Sequence, residues 1–229
     1  MAVLSKRREY ISSIEEKKYT IEQALDFFKS SPKINFLESV DVAVNLGIDT
    51  EKSDQNMRGA TSLPAGSGKP CKVAVFAEGD LAVEAKDVGA DEVGMQDLAK
   101  KIKEGNLSVD VIIATPETMK IVSPLGKILG PQGLMPNPKT GTVTKDISNA
   151  VKNVKSGQIR YRSDKGGVIH GRIGDVSYTP DQIQENLETL LLDLKKNKPP
   201  SSKGIFIKKV TLSSTMGVGV EIDLTGIKF

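Results

Sequence analysis

Apolar residues keep three successive rhythms along this chain. Ile21, Ala24, Leu25 and Phe28 recur on one face at helical spacing behind Thr20-x-x-Gln23, a capping box that predicts a helix start. Ser30-Ser31-Pro32 predicts its end, and residues 4–15 also read as helix. Val40, Val42, Val44, Leu46 and Ile48 then alternate with Asp41, Ala43, Asn45 and Gly47, the period-two pattern of a half-buried strand. Ser62–Pro70 follows with the composition of a linker.

Between about 70 and 157 the rhythm changes. Val73–Ala77 is an unbroken apolar run and Val109–Ala114 a second apolar strand, and helical patterns end at Gly89, cover Gln96–Glu104 after a short Asp91–Gly94 segment, and begin at Pro116. Unbroken apolar strands alternating with helices predict a parallel sheet covered on both faces. Asp146–Lys155 reads as another helix, stopped by Gly157. The third rhythm is antiparallel, with Gln158–Asp164 and Gly167–Ile173 forming a hairpin about Lys165-Gly166. Thr179-Pro-Asp-Gln182 caps a long amphipathic helix through Ile183, Leu187, Leu190, Leu191 and Leu194, which Pro199-Pro200 ends. Ile205–Leu212 and Val218–Leu224 are two final strands. Neither end zone completes a sheet sandwich alone. The expected fold class is therefore α/β and α+β: a discontinuous α+β domain built from both chain ends (1–67 and 159–229), with a Rossmann-like three-layer α/β domain (68–158) inserted. Linkers at about 62–70 and 156–159 would act as a hinge.

One segment escapes these rhythms. Ile128–Val143 holds three glycines and three prolines, with Lys127 and Lys139 but no acid. Such a stretch predicts a long, shaped loop rather than helix or strand interior, and its lack of acids suits an anionic partner. Charge around it is segregated. From Lys120 to Arg172 ten Lys/Arg face only Asp146 and Asp164, a net +8, so the rest of a chain of net +3 carries −5. That is the footprint of a protein that neutralises phosphates, although a solvated basic face is the plainer alternative.

Composition narrows the chemistry. The 229 residues are 38% hydrophobic, enough for real cores, with 4% aromatics and no Trp. The single cysteine, Cys71, rules out an internal disulfide or a cysteine-built zinc site and reads as a buried structural thiol. No apolar run suits a signal peptide or approaches the ~18 residues of a membrane span, so a cytoplasmic protein without membrane contact is expected. Catalysis has little to stand on. The lone His170 sits in an alternating strand with no carboxylate at a relay spacing. Gly66-Ser-Gly-Lys69 has the wrong spacing for a phosphate loop, since Leu63 stands five before Gly68 and Pro70 replaces the Mg²⁺-binding hydroxyl. Asp87, Asp91, Glu92 and Asp97 lack metal-loop spacing. The expectation is no enzyme, no cofactor and no metal. A nucleotide-binding or transferase insert would need a glycine-rich turn after Val73–Ala77, where the chain has the acidic Glu78-Gly-Asp80.

RNA-binding chemistry has more support. Phe36 stands just before the alternating strand, where it could stack on an unpaired base or simply join the core. Thr215-Met216-Gly217 predicts a hairpin tip that could approach nucleic acid; the plainer reading is a turn with glycine at positive φ. Arg160, Arg162, Lys165 and Arg172 decorate the 158–173 hairpin and could track a phosphate backbone.

Taken together, Ile128–Val143, Gly47-Ile-Asp49, Ser53-Asp-Gln-Asn-Met-Arg-Gly59, Arg162-Ser-Asp-Lys165 with Ile169-His170, and Ser214-Thr-Met-Gly217 closely resemble the signatures of the L-one family of large-subunit ribosomal proteins, over essentially the full length. Asp54-Gln-Asn56 and Pro131-Gln-Gly-Leu-Met135 resemble its bacterial type. The resemblance implies a ribosome-bound protein of the mobile lateral stalk whose end-built domain grips large-subunit rRNA and whose insert faces exit-site tRNA. It also implies repression of the protein's own operon mRNA; a free repressor acting only on mRNA is the rival within RNA binding. No homo-oligomer is expected. Carried onto this sequence, the rRNA contact set is Phe36, Ser39, Asp41, Asp164, Lys165, Thr215, Met216 and Gly217, with Lys33, Lys127, Lys139, Arg160, Arg162 and Arg172 as a supporting basic surface. Two positions depart from the family: Asn35 stands where a lysine precedes the phenylalanine, with Lys33 two further back, and Asp41 replaces a glutamate.

Overall fold

The computed structural model describes residues 10–11, 17–32, 34–52, 54–105 and 108–227. The helix expected over 4–15 therefore lies largely outside the described residues; Tyr10 and Ile11 are helical. The elements run α1 (Ile21–Ser30), β1 (Ser39–Leu46), β2 (Arg58–Ser62), β3 (Val73–Phe76), α2 (Asp80–Asp87), β4 (Glu92–Gly94), α3 (Gln96–Lys103) and β5 (Val111–Ala114). They continue with α4 (Met119–Val122), α5 (Gly126–Leu129), α6 (Ile147–Lys155), β6 (Gln158–Arg162), β7 (Val168–Asp175), α7 (Pro180–Lys196), β8 (Ile207–Ser214) and β9 (Val220–Glu221). The protein is thus mixed α/β. Its chain divides into two compact units, Met1–Gly68 with Ile159–Phe229, and Lys69–Gln158.

In the first unit an antiparallel sheet of order β7-β1-β8-β9 is laid around β1. The clean alternation of β1 appears as strictly alternating burial, with Val40, Val42, Val44 and Leu46 inside and Ser39, Asp41, Ala43 and Asn45 on the other face. Onto the inner face pack α1, through Ile21, Ala24, Leu25 and Phe28, and α7, through Ile183, Leu187, Leu190, Leu191 and Leu194. Both helices start at a complete capping box, Thr20/Gln23 and Thr179/Gln182. Each buried Leu or Val contributes about 1.5–3 kcal/mol and each cap about 1 kcal/mol, so burial of the helix stripes dominates.

The expected hairpin about Lys165-Gly166 exists, but its arms part. They are joined by the Asp164 N–H to Val168 carbonyl bond (2.9 Å) and the Ser163–Ile169 bridge, after which β7 joins the large sheet and β6 pairs with β2. Strand β2 has no apolar alternation to announce it, because its inward positions are Gly59 and Thr61. Tyr161 explains the glycine: a Cβ at Gly59 would lie 2.3 Å from the tyrosine oxygen. That hydroxyl donates to Asp193 on α7 (2.7 Å), and burial followed by the Asp193 charge raises its pKa well above the ordinary phenol value. The stretch read as a linker begins well bonded. Asn186, fully buried on α7, donates to the Gly66 and Ile173 carbonyls (3.0 and 2.7 Å) and accepts the Ala65 N–H (3.0 Å).

In the second unit three parallel strands, order β4-β3-β5, have helices on both faces. One face buries Leu98, Ile102, Val122, Leu125 and Leu129; the other buries Ala85, Ile147, Val151 and Val154. Cys71 is only partly buried at the edge of the second cluster, rather than fully as expected. The helix expected from Pro116 starts later, at Met119. Thr115 and Thr118, both buried, bond to each other (3.1 Å) and Thr118 donates to the Phe76 carbonyl (2.9 Å), which holds a turn there. The glycine/proline segment is less irregular than its composition suggests: Ile128–Leu129 finish α5, Pro138–Thr140 form a 3-10 turn, and Val143 bridges Ala114 in parallel. It carries the chain from one face of the sheet to the other around the β5 edge, which it covers.

Candidate nucleic-acid interface

The fold gathers six of the eight residues expected to contact rRNA at one end of β1. Ser39 opens that strand, its neighbour Ser214 closes β8, and the Thr215–Gly217 tip follows directly. The Ser39 N–H donates to Thr215 Oγ1 (2.9 Å) and the Thr215 N–H donates back to the Ser39 carbonyl (3.1 Å). Ser39 Oγ donates to Asp41 Oδ2 (3.1 Å), so in the 2.9 Å contact between the two hydroxyls Thr215 must be the donor. The Met216 N–H donates to Glu38 Oε2 (3.2 Å). Glu38 is a member of this cluster that sequence reasoning missed, since nothing in a local pattern marks a glutamate for a bond to a tip far along the chain.

Around this hydrogen-bonded floor stand exposed apolar groups. Phe36 is 50% exposed, Leu37 62% and Met216 54%, so Phe36 is not core. Gly217 is not at positive φ. It is needed for clearance instead: a Cβ there would come 2.3 Å from Ser214 Oγ. The cluster offers an aromatic face and a thioether for stacking, hydroxyls, and a carboxylate that accepts but cannot donate. A carboxylate repels phosphate, so Asp41 suits sugar hydroxyls or base amino groups.

Asp164 and Lys165 lie at the other end of β1, past Leu46, whose N–H donates to the Gly167 carbonyl. At ~3.3 Å per residue the eight-residue strand separates the two groups by roughly 25 Å. Asp164 Oδ1 accepts the Gly166 and Val168 N–H groups (2.9 and 2.8 Å), and His170 Nε2 lies 3.5 Å from Oδ2. The Val168 N–H, then His170 and the Gly166 N–H, hold this carboxyl below its ordinary pKa. Thr50 Oγ1 donates to the Lys165 carbonyl (2.6 Å) and ties the hairpin to the 47–57 segment.

The remaining basic candidates are dispersed. Arg160 and Arg162 project from the outer face of β6. Arg172, opposite Asp41 across the β1–β7 register, is held by the buried Asp175, and its Nε has no hydrogen-bond partner. Lys127 on α5 and Lys139 on the 3-10 turn are exposed in the other unit. Lys33 lies outside the described residues. Among the described residues no group of three or more His, Cys, Asp or Glu could hold a metal ion, and no helix is long and apolar enough to cross a membrane.

An exposed aromatic and thioether over a floor of sheet-end hydroxyls make this end of the sheet a candidate contact surface of a binding protein. A family model described as "Ribosomal protein L1p/L10e family" matches residues 27–218, and the chain belongs to that family. It is 56% identical to the "Large ribosomal subunit protein uL1" of Acinetobacter baylyi over 229 residues, 99% of each chain. The proteins of the same name from Saccharophagus degradans (56%) and Francisella philomiragia (54%) match over the same share. The resemblance read from the glycine/proline segment is borne out, and the chain is a ribosomal protein rather than an enzyme.

Proposed function

We infer that this chain is a constituent of the large ribosomal subunit in the cytoplasm and binds large-subunit rRNA through the Ser39–Thr215 end of its antiparallel sheet. The observation that carries this reading is the convergence of Phe36, Ser39, Asp41, Thr215, Met216 and Gly217, distant in sequence, on one patch with half-exposed stacking groups and unspent acceptors. Backbone and hydroxyl groups there suit 2′-OH and sugar edges, while Arg160, Arg162 and Lys165 suit phosphates. We read the second unit as a Rossmann-like insert within a discontinuous rRNA-binding domain. In line with the family resemblance, that insert faces exit-site tRNA and assists its release, and the same patch represses the operon mRNA by binding a mimic of the rRNA site. Support for an RNA-facing insert comes from the exposed Lys127, Lys139 and Lys145, which have no ion pair among the described residues. The decisive experiment is sedimentation with large subunits at physiological salt. The wild-type chain should pellet with them and a Phe36→Ala/Met216→Asp variant of intact circular dichroism should not; equal pelleting of the two would sink the site assignment.

A further inference from the structure

One group on the Ser39–Thr215 patch is open to covalent change by a small oxidant, and the fold isolates it. The chain has six methionines. Among the described ones Met57 is buried and Met95, Met119 and Met135 are partly buried, the last two against the core of the second unit. Met216 is 54% exposed. The backbone holds it outward. The N–H groups of Thr215, Met216 and Gly217 are all engaged, with the Ser39 carbonyl (3.1 Å), Glu38 Oε2 (3.2 Å) and the Ser214 carbonyl (3.0 Å). A tip pinned at three successive amides cannot turn its thioether into the core.

A thioether is soft and only weakly accepting, which suits it to lie against a base or a sugar. Two-electron oxidation changes that character. The sulfur lone pair attacks one oxygen of hydrogen peroxide, an S–O bond forms as the O–O bond breaks, and the other oxygen leaves as water with both hydrogens. The sulfoxide oxygen is a strong acceptor with nothing to donate. The patch has little to offer it: the Thr215 hydroxyl donates to Ser39 and the Ser39 hydroxyl to Asp41, while Glu38 and Asp41 present carboxylate oxygens. RNA phosphates are acceptors as well, so the new oxygen opposes them too. We propose that Met216 is an oxidation site for hydrogen peroxide, and that its sulfoxide disables the Ser39–Thr215 patch for RNA. This rests on the RNA-binding reading above and adds a regulation to it. RNA lying on the patch shields the sulfur, so the free chain is the susceptible form and the assembled chain the protected one. The change is reversible, because methionine sulfoxide reductases restore the thioether.

The test treats the full chain with hydrogen peroxide, free and after saturation with large-subunit rRNA. Peptide mass spectrometry reads each methionine and filter binding reads affinity. In the free chain Met216 should become sulfoxide well before Met95, Met119 and Met135, and rRNA affinity should fall about five- to tenfold in step with it. The two epimer-specific reductases together should restore the affinity. Bound rRNA should slow oxidation of Met216 and leave the rate at Met119 unchanged. Met216→Leu, whatever its own starting affinity, should keep that affinity through the same treatment, while Met119→Leu should lose affinity as the wild type does. Oxidation of Met216 no faster than that of Met119 overturns the site. Complete sulfoxide at Met216 with unchanged rRNA affinity overturns the switch and leaves the RNA-binding reading standing. Equal loss of affinity in Met216→Leu moves the lesion to another residue and overturns the switch as well. A wild type that fails to bind the rRNA before any peroxide is added overturns the function proposed above and the switch with it.

Discussion

The two ends of strand β1 differ in what they display. The Ser39 end carries Phe36, Leu37 and Met216 exposed over a floor of hydroxyls, with acids Glu38 and Asp41 close by. The Leu46 end is bordered by Arg58, Arg162 and Lys165. One end has the means to read the shape and edges of a nucleic acid and little means to attract its charge; the other has the reverse. Phosphate contacts set position and edge contacts set specificity, so under the proposed function the two ends of one sheet would take one task each.

That division can be broken from either side. Met216→Asp should have the largest effect, lowering rRNA affinity at least ~100-fold with little change in salt slope, because a new carboxylate would face sugar and phosphate. Filter binding at several salt concentrations checks both numbers. Phe36→Ala should cost about 1–3 kcal/mol of binding, also at constant slope, if one base stacks there; a flattened slope instead would merge the two ends into one electrostatic surface. Gly217→Ala should destabilise the fold by about 1 kcal/mol and weaken binding several-fold, and Ser214→Ala in the same chain should relieve both by removing the oxygen the new methyl meets. Denaturant unfolding read beside binding tests the pair.

The smallest effect is confined to the Leu46 end. The Asp164 carboxyl has a native pKa below its unfolded value, so its contribution is present above the ordinary carboxylate range and is lost as pH falls through the lowered native value. Exchange protection of the Gly166 and Val168 amides should therefore decline on acidification in the wild type. In Asp164→Asn it should be weaker and flat across that window. Identical profiles would show that the carboxylate does not hold the hairpin.

How much of this could be read from sequence follows from where each signal resides. β1, α1 and α7 were legible because burial of a stripe leaves a period, and Thr20-x-x-Gln23 and Thr179-x-x-Gln182 mark their helix starts locally. β2 was not legible, since a strand whose inner face is Gly59 and Thr61 leaves no hydrophobic trace; its cause is the Tyr161 ring, far away in sequence. At the candidate site Phe36, Met216 and Gly217 could be named. Glu38 could not, because its bond to the Met216 N–H depends on how distant segments meet in the fold. The reason for Gly217 was also hidden: crowding by Ser214, not backbone handedness, excludes a side chain there.

The position of β1 at the centre of its sheet also bears on the order of events during synthesis. Its partners β7 and β8 come from the last third of the chain, and its apolar face of Val40, Val42, Val44 and Leu46 has nothing to pair with until they emerge. Meanwhile residues 69–158 hold their own strands and both helical layers, so at about 5–20 residues per second they can fold first. For several seconds the nascent chain would thus carry a finished unit flanked by an unsatisfied strand. Chaperone capture, or mispairing between neighbouring nascent chains, is most to be expected in that interval, and the hazard ends when β8 docks.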